Sequence, residues 1–418
     1  MSNYSETYYQ SILAQASYGD FNEFTGGISD DEAKTILRDD SRGRETHIPE
    51  KVIVDVLSRF NVEEHYPDDA TGFSATVFKD SDGRYVMSIR GTDLDNDLWN
   101  DLFVGDIGGV GVSGIAAEQL YSAYDFYNDL LSRGIEIDSF TGLSLGGHLA
   151  IGMSALTNKV VYSFAGPGIR DNDLTRYIIE QIKGEAAWFD ESNINDILPE
   201  DFDPASRFNE RTVEERVFIE HEFISDGKLT HSNLNFMDGF AIFDLIASLG
   251  TSSSQMSITE MGDLMRAMVG ADERYSALEN TIYEIAAVLN VPNASPLAIS
   301  TNPENDVTAR DDMHKLIAGI KTHLGLSEGD FANLGFESLV SLSAEAIKSK
   351  SLQDNDEGRG YRYALENFLP FTLISGLAGT AILNSEYDLD AQSEQYWADR
   401  ALMLEHILLR NTDDVDFP

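Results

Sequence analysis

The sequence predicts an α/β protein that ends in a mainly helical region, and three patterns indicate this fold class. Short apolar segments alternate with longer helical periodicities along the first part of the chain. A G-x-S-x-G motif connects a predicted strand to a predicted helix, and strand patterns become rare after Phe236. We therefore divide the chain into residues 1–240, which hold the sheet, and residues 241–418, a mainly helical lid or accessory region.

The elements follow from their periodicities, since helical spacing predicts helices and short apolar or alternating runs predict strands. Helices are predicted at residues 5–18, 50–60, 115–132 and 149–156, and in the second part at residues 258–269, 274–289 and 312–324. Strands are predicted at residues 75–79, 85–89, 135–141, 160–164, 186–189 and 217–223. A polar turn at residues 80–83 joins the first two strands as a hairpin.

Composition excludes several classes of function. The chain has 418 residues, and 42% of them are hydrophobic, which is enough for a buried core. It carries 29 Lys and Arg residues against 72 Asp and Glu residues, a formal net charge of −43. Because phosphate backbones repel such a protein, we exclude nucleic acid as a partner. The absence of cysteine excludes disulfides, thiolate zinc sites and a cysteine nucleophile.

The N-terminus does not have the pattern of a secretory signal peptide. Its first ten residues, MSNYSETYYQ, contain neither a basic segment nor an apolar one. We therefore expect a protein that either stays inside the cell or is exported through another signal. No run of eighteen apolar residues occurs, so we expect no membrane-spanning segment.

Ser144 is the candidate nucleophile. It is the serine of G-L-S-L-G at residues 142–146, which follows an apolar strand and precedes a helix-forming run. A nucleophile elbow requires this context, and small residues must flank the serine because larger side chains would collide with neighbouring backbone. The following helix N-terminus also favours developing negative charge. The alternative is a glycine-rich strand-to-helix loop without catalytic function.

Three further motifs accompany this one. They are a strand that ends in Arg90-Gly91-Thr92, a D-x-W-x-D stretch at residues 97–101, and a strand that ends in S-F-A-G-P at residues 163–167. Together with G-L-S-L-G-G at residues 142–147, they resemble the class-three lipases, the family of fungal triacylglycerol lipases and their bacterial phospholipase relatives. The resemblance covers residues 85–231. The sequence departs from it at Leu143, where many lipases have a histidine.

The resemblance implies an α/β-hydrolase fold with a mostly parallel central sheet. It also implies that Thr92 supplies one donor of an oxyanion hole and that the backbone N–H of Leu145 supplies the other. Asp101 would brace the turn at Thr92 as a buried carboxylate, or it would cap a helix in solvent.

Asp196 is the candidate acid of a catalytic triad. In α/β-hydrolases the triad follows the chain order serine, acid, histidine, and the acid stands just beyond a late strand. Asp196 lies in a segment similar to the N-x-x-D-x-x-P of the lipase family. Asp201 and Asp203 are nearby competitors, and the alternative for each carboxylate is a solvated surface position.

His231 is the candidate base, because its segment is similar to the H-S-x-x-N around the catalytic histidine of the bacterial phospholipases. His221, in a strand-like run, is the second choice. His148 stands four residues after Ser144 on the same helix, so we expect it to pack rather than to act as the base. The other five histidines precede the serine or lie in the helical part; they are His47, His65, His314, His323 and His406.

These residues predict a serine ester hydrolase that cleaves acyl esters of glycerolipids, as a lipase or phospholipase A, through an acyl-enzyme. One alternative is a carboxylesterase acting on soluble or polymer-linked esters. Another is a catalytically inactive, lipase-like binding module of a large surface protein. The net charge of −43 favours transient contact with zwitterionic or neutral lipid surfaces over anionic ones.

The predicted chemistry requires no cofactor. Asp93, Asp95 and Asp97 begin like an EF-hand loop, but Leu98 and Val104 occupy the positions that need Gly and Glu. We therefore interpret this stretch as a solvated acidic loop. A structural calcium ion at another acidic cluster stays an open alternative.

Two segments are candidate lids, residues 105–114 and the methionine-containing helices of residues 236–269, whose alternative is a core stripe. Residues 359–368, 387–389 and 399–401 resemble a segment of large secreted bacterial proteins of the calcium-binding repeat-toxin type. That resemblance implies a longer protein that is secreted without an N-terminal signal, for example by a type I route, and it makes a cytoplasmic location less expected.

Overall fold

The computed structural model describes residues 3–19, 21, 29–38, 48–67, 69–91, 115–199, 217–219, 233–268, 277–297, 307–327, 330–375 and 379–412. The chain divides into two compact units. One unit is Thr7–Met237, and the other combines Met1–Glu6 with Asp238–Pro418.

The first unit is built on a mixed sheet. Its strands are β1 (Phe60–Tyr66), β2 (Ala75–Asp80), β3 (Tyr85–Ile89), β4 (Ile137–Leu143), β5 (Val160–Phe164), β6 (Ile194–Pro199) and the three-residue β7 (Val217–Ile219). The strands lie in chain order from β1 to β7. β1, β2 and β3 pair antiparallel, whereas the pairings from β3 to β7 are parallel. The expected parallel sheet therefore carries an antiparallel edge.

The described ranges up to residue 248 also contain seven α-helices. They are α1 (Asn3–Ala16), α2 (Asp30–Arg38), α3 (Glu50–Arg59), α4 (Ala117–Ser132), α5 (Leu145–Thr157), α6 (Asp173–Lys183) and α7 (Asn233–Ser248). Side chains define where some of them begin. The Asn172 side chain accepts a hydrogen bond from Thr175 N–H at 3.0 Å and so caps the start of α6.

Each face of the sheet is buried under helices, because side chains alternate between faces along a strand. Val77, Met87 and Ile89 share one apolar core with α4, α5 and α6. Phe78 and Val86 point to the other face and share a second core with α1, α2 and α3. The result is a sheet between two helical layers, which buries the apolar strands on both sides.

The parallel strands place their carboxyl ends on one edge of the sheet. α4, α5 and α6 each connect one parallel strand to the next, from β3 through β6. Loops that leave this edge lie close together, and in open α/β sheets ligands bind there. The junction between β4 and α5, which contains Ser144, is at this edge.

The second unit is mainly helical. Its later helices are α8 (Ile258–Met268), α9 (Ala277–Val288), α10 (Val307–His323), α11 (Ala344–Ser351), α12 (Asp356–Asn367) and α13 (Glu394–Thr412), with a short antiparallel pair of β8 (Phe336–Ser338) and β9 (Phe371–Leu373). α13 packs against α8, α11 and α12. Its buried residues Trp397, Ala401, Leu404 and Leu408 recur at helical spacing.

A buried ion pair also connects helices of this unit. The carboxylate of Asp238 on α7 pairs with Arg310 on α10 and lies 3.0 Å from His314 Nε2. All three side chains are nearly inaccessible to solvent, so the positive charge of Arg310 balances the negative charge of the Asp238 carboxylate inside the fold.

The structure confirms an α/β fold with a mainly helical C-terminal region. Residues 186–189, predicted as a strand, are irregular instead. The side chains of Trp188 and Phe189 pack against the core that the sheet shares with α4, α5 and α6, which explains the apolar pattern of this segment. The strand next to β5 is β6, which the periodicity did not predict. Of residues 217–223, the first three form β7 and the rest lie outside the described ranges.

Within the described ranges, no helix combines the length and the apolar character that a membrane-spanning segment requires.

Candidate active site

Ser144 lies in a sharp turn between the last residue of β4 and the first residue of α5. Its backbone has φ +58° and ψ −125°, a conformation that L-residues rarely adopt and that costs roughly 1–3 kcal/mol. Its N–H donates to Phe164 O at 2.8 Å, and its carbonyl accepts from His148 N–H at 3.1 Å. The side chain is half-buried. The turn therefore holds a half-buried serine in a strained backbone conformation.

Two glycines allow this turn, as the motif predicted. A Cβ on Gly146 would overlap the Ile89 carbonyl and would lie 3.0 Å from Gly91 N. A Cβ on Gly142 would lie 2.8 Å from Gly147 N. Real Cβ atoms do not approach backbone so closely, so the first turn of α5 can approach β3 and β4 only without side chains at these positions. The requirement for small residues on each side of Ser144 is confirmed.

Leu145 is the first residue of α5. The first N–H groups of a helix have no acceptor within the helix and lie at the positive end of its dipole. Gly91 lies against the same turn, because its Cβ would be 2.5 Å from Leu143 O and 3.5 Å from Gly146 N. The residue before Thr92 thus adjoins the elbow, whereas Thr92 itself lies outside the described residues.

Asp196 lies inside β6 rather than beyond its end, which corrects the expected position of the acid. It pairs in register with Ser163 on β5, and Ser163 pairs with Gly142 on β4, two residues before Ser144. The Asp196 side chain is only 1% exposed. This burial argues against a solvated surface position, and a buried carboxylate is costly unless other groups stabilise its charge.

Ser163, on β5, lies against the first turn of α5. Its Oγ lies 2.7 Å from the position that a Cβ on Gly147 would take. The hydroxyl is buried and makes no hydrogen bond to any other described residue. The absence of a side chain at Gly147 therefore also makes room for Ser163 under the first turn of α5.

His148 is fully buried, and both of its ring nitrogens make hydrogen bonds. Nδ1–H donates to Pro167 O at 3.0 Å, and Nε2 accepts from Ala116 N–H at 3.2 Å. Burial lowers the pKa of His148 to about 4, so the ring is neutral near pH 7. These contacts agree with the expected packing role, because a base needs a free nitrogen directed at the serine.

The remaining predicted site residues lie outside the described ranges. They are His231, its competitor His221, the competing acids Asp201 and Asp203, Asp101, the acidic stretch with Asp93, Asp95 and Asp97, and the candidate lid at residues 105–114. Of the five residues predicted for the catalytic triad and the oxyanion hole, the structure thus describes Ser144, Leu145 and Asp196.

Three described methionines of the second candidate lid are buried, whereas Met256 is half-buried. Met237 is fully buried in the core beneath α1, α2 and α3. Met261 and Met265 on α8 are 0% and 5% exposed. This burial favours the interpretation of a core stripe over an exposed acyl-binding surface.

One residue near the elbow was missed in the sequence. The hydroxyl of Tyr18, just after α1, lies 2.5 Å from the position that a Cβ on Gly91 would take. Tyr18 and Gly91 are far apart in the sequence, and no local motif indicates such a contact. Only the path of α1 across the sheet brings them together.

Among the described residues, no group of three or more His, Asp or Glu side chains is arranged to hold a metal ion.

Comparison with known protein families and with curated proteins finds no match for this chain. Its functional assignment therefore rests on the motifs, backbone geometry and burial of the site residues.

Proposed function

We propose that this chain is a serine ester hydrolase with an α/β-hydrolase fold, and that it cleaves acyl esters of glycerolipids. One observation carries the proposal. Ser144 has φ +58° at a strand-to-helix turn whose flanking glycines cannot carry a Cβ. Strain of this kind persists where the surrounding structure enforces it, and a nucleophile elbow is a turn of this type.

The order of elements supports the same proposal. The elbow follows a central strand, at the sheet edge where the carboxyl ends of the parallel strands meet. Asp196 lies two strands further along and after the serine in sequence, as the serine, acid, histidine order requires. His231 follows both of them in the chain.

The proposed mechanism uses only residues of this chain. His231 accepts the proton of Ser144 Oγ as the oxygen attacks the ester carbonyl, and Asp196 stabilises the resulting imidazolium. The N–H of Leu145 and a donor at Thr92 stabilise the tetrahedral oxyanion. The imidazolium then protonates the leaving alcohol, and the acyl group remains on Ser144. Water, deprotonated by His231, releases the carboxylic acid and restores the serine.

The substrate class follows from charge as well as from the resemblance. A chain of net charge −43 is repelled by anionic bilayers, and this repulsion weakens with salt. We therefore expect neutral or zwitterionic glycerolipids to be the better substrates, acted on by an exported enzyme during transient contact with a lipid surface.

Hydrolysis assays separate this proposal from its alternatives. The purified chain is incubated with phosphatidylcholine vesicles, triacylglycerol emulsion and aryl esters of increasing acyl length, with Ser144→Ala as the matched control. We expect release of fatty acid from the glycerolipids by the wild type only. Activity confined to short aryl esters would indicate a soluble carboxylesterase. No activity on any ester, or equal activity in the Ser144→Ala variant, would contradict the proposal.

A further inference from the structure

A groove lies between α4 and α6, two helices of the layer that covers one face of the sheet. It has a volume of about 460 Å³, which is within the range of small-molecule sites. Its apolar lining comes from Ala117, Ile178 and Ile182. All three also pack against the buried core of that face. The groove is therefore a feature of a packed helical surface.

The start of α4, which lines the groove, is held next to the first turn of α5. Gln119 Nε2 donates to Thr71 O at 2.9 Å, so the loop before β2 is fixed to this helix. The N–H of Ala116, one residue before α4, donates to His148 Nε2 at 3.2 Å. His148 stands about one helical turn after Ser144. These contacts connect the groove to the helix that begins at the proposed nucleophile elbow.

Two exposed tyrosines and one carboxylate also line the groove. Tyr121 on α4 is 60% exposed, and Tyr177 on α6 is 58% exposed. Glu118 stands three residues before Tyr121 on the same face of α4, and it forms no ion pair with a described Lys or Arg. None of the described residues that line the groove is a Lys or Arg. Because aromatic rings carry negative potential on their faces, the groove favours a cation over an anion.

The apolar lining selects among cations. A primary ammonium has N–H groups that need acceptors, and the side chains of Ala117, Ile178 and Ile182 offer none, so desolvation there is costly. A trimethylammonium group presents methyl groups and has no N–H to satisfy. An acyl chain would match the apolar residues but would gain nothing from Glu118 or from the ring faces. A quaternary ammonium is the ligand that uses all of these features.

We propose that the groove between α4 and α6 binds the trimethylammonium headgroup of phosphatidylcholine at a lipid surface. The inference rests on the proposed hydrolase function and deepens it, because it names the headgroup of the zwitterionic substrate. Binding there brings the start of α4 and the neighbouring first turn of α5 to the lipid surface. It also gives a chain of net charge −43 a specific attraction to the cationic end of a zwitterionic headgroup.

The test measures flotation with vesicles of diether phosphatidylcholine, which lack the ester bonds that a hydrolase cleaves. It compares two double variants at the tyrosines. Leucine keeps the apolar bulk and removes the ring faces, whereas phenylalanine keeps the rings. We expect Tyr121→Leu/Tyr177→Leu to bind about fivefold to thirtyfold more weakly than the wild type, and Tyr121→Phe/Tyr177→Phe to stay within about threefold. Both positions are exposed, so thermal unfolding should show little change in stability.

The charge and the headgroup are tested separately. Glu118→Gln keeps the shape of the side chain and removes its charge, so we expect it to bind the vesicles about twofold to fivefold more weakly. Glycerophosphocholine has the headgroup without acyl chains, and it should displace the wild type from the vesicles. Glycerophosphoethanolamine at the same concentration should not displace it, because its primary ammonium loses hydrogen bonds in the groove.

Wild-type affinity in the leucine variant would overturn the inference and assign the groove to an acyl chain or to an apolar protein surface. Absence of binding to the vesicles, or equal displacement by the two soluble headgroups, would overturn it as well. Fluorophosphonate labelling of the same preparations keeps the two proposals apart. Labelling of Ser144 without headgroup selectivity would leave the hydrolase and remove the headgroup site. Headgroup selectivity without labelling would support the site and contradict the hydrolase.

Discussion

His148 donates a hydrogen bond from Nδ1–H to the Pro167 carbonyl at 3.0 Å. This bond connects the first turn of α5 to the loop after β5, and it specifies the tautomer in which Nε2 accepts from Ala116 N–H. A second proton on the ring would place an N–H against the N–H of Ala116. The contacts around the elbow therefore require a neutral imidazole.

The neutral state of His148 predicts a pH-dependent stability. Burial lowers its pKa from the ordinary value of 6.5 to about 4. Between these values the unfolded chain binds a proton at His148 that the folded chain does not, so acidification favours unfolding. The neutral His148 therefore contributes fully to the free energy of unfolding above pH 6.5. This contribution is lost as the pH falls to about 4, and the loss is about 3 kcal/mol at most.

Urea unfolding of the wild type and His148→Gln at several pH values measures this effect. The many carboxylates titrate in both proteins, so the difference between the two curves isolates His148. We expect the advantage of the wild type to shrink from pH 7 to pH 4. Parallel curves would contradict a neutral, buried His148.

Gly146→Ala is expected to damage the elbow. The added methyl group would overlap the Ile89 carbonyl, so β3 and α5 must separate, at a cost of about 1–3 kcal/mol. Thermal unfolding and fluorophosphonate labelling should both detect the change. Gly319→Ala on α10 is the matched control, since a Cβ there meets nothing within 4 Å and alanine favours a helix. Equal stability of the two variants would contradict the close approach at Gly146.

The strain at Ser144 predicts an unusual order of stability among inactive variants. Glycine adopts φ +58° without penalty, whereas alanine keeps the Cβ. We expect Ser144→Gly to be about 1–2 kcal/mol more stable than Ser144→Ala in chemical unfolding. At Ser154, within α5, the order should reverse, because alanine is the better helix former. If alanine were favoured at both positions, the elbow would not be strained.

The assignment of acid and base can be tested by paired substitutions. His231→Ala and Asp196→Asn should each lower kcat, and loss of the acid lowers it about 10⁴-fold in related triads. His221→Ala, Asp201→Asn and Asp203→Asn should stay within a few-fold of the wild type. These competitors lie in the same stretches of sequence, so they serve as matched controls for local disturbance. Inactivity of a competitor with activity of its counterpart would reverse the assignment.

The parts of the fold with strong local signals were predictable. β5 was predicted at residues 160–164 and occupies Val160–Phe164, because five consecutive apolar or small residues indicate a buried strand. β6 was missed because Asn195, Asp196 and Pro199 interrupt its apolar pattern. Its neighbours in the sheet, and not its own propensity, make it a strand.

The candidate site shows the same difference between local signals, which the sequence carries, and contacts between distant elements, which it does not. The elbow at Ser144 was predictable because its serine and glycines lie within five residues of one another. The contact of Tyr18 with Gly91 was not, since it depends on the hydrogen bonds that hold α1 on β3 and β4. Local motifs indicate candidate reacting groups, whereas contacts between residues far apart in the chain require the three-dimensional structure.

The central claim is that Ser144 is a nucleophile, and covalent labelling tests it most directly. The wild-type chain is incubated with a fluorophosphonate, digested, and analysed by mass spectrometry for the modified residue. We predict one phosphonyl group per chain, attached to Ser144, and no modification in the Ser144→Ala variant. A wild-type chain that stays unmodified, or that is modified at another serine, would contradict the account.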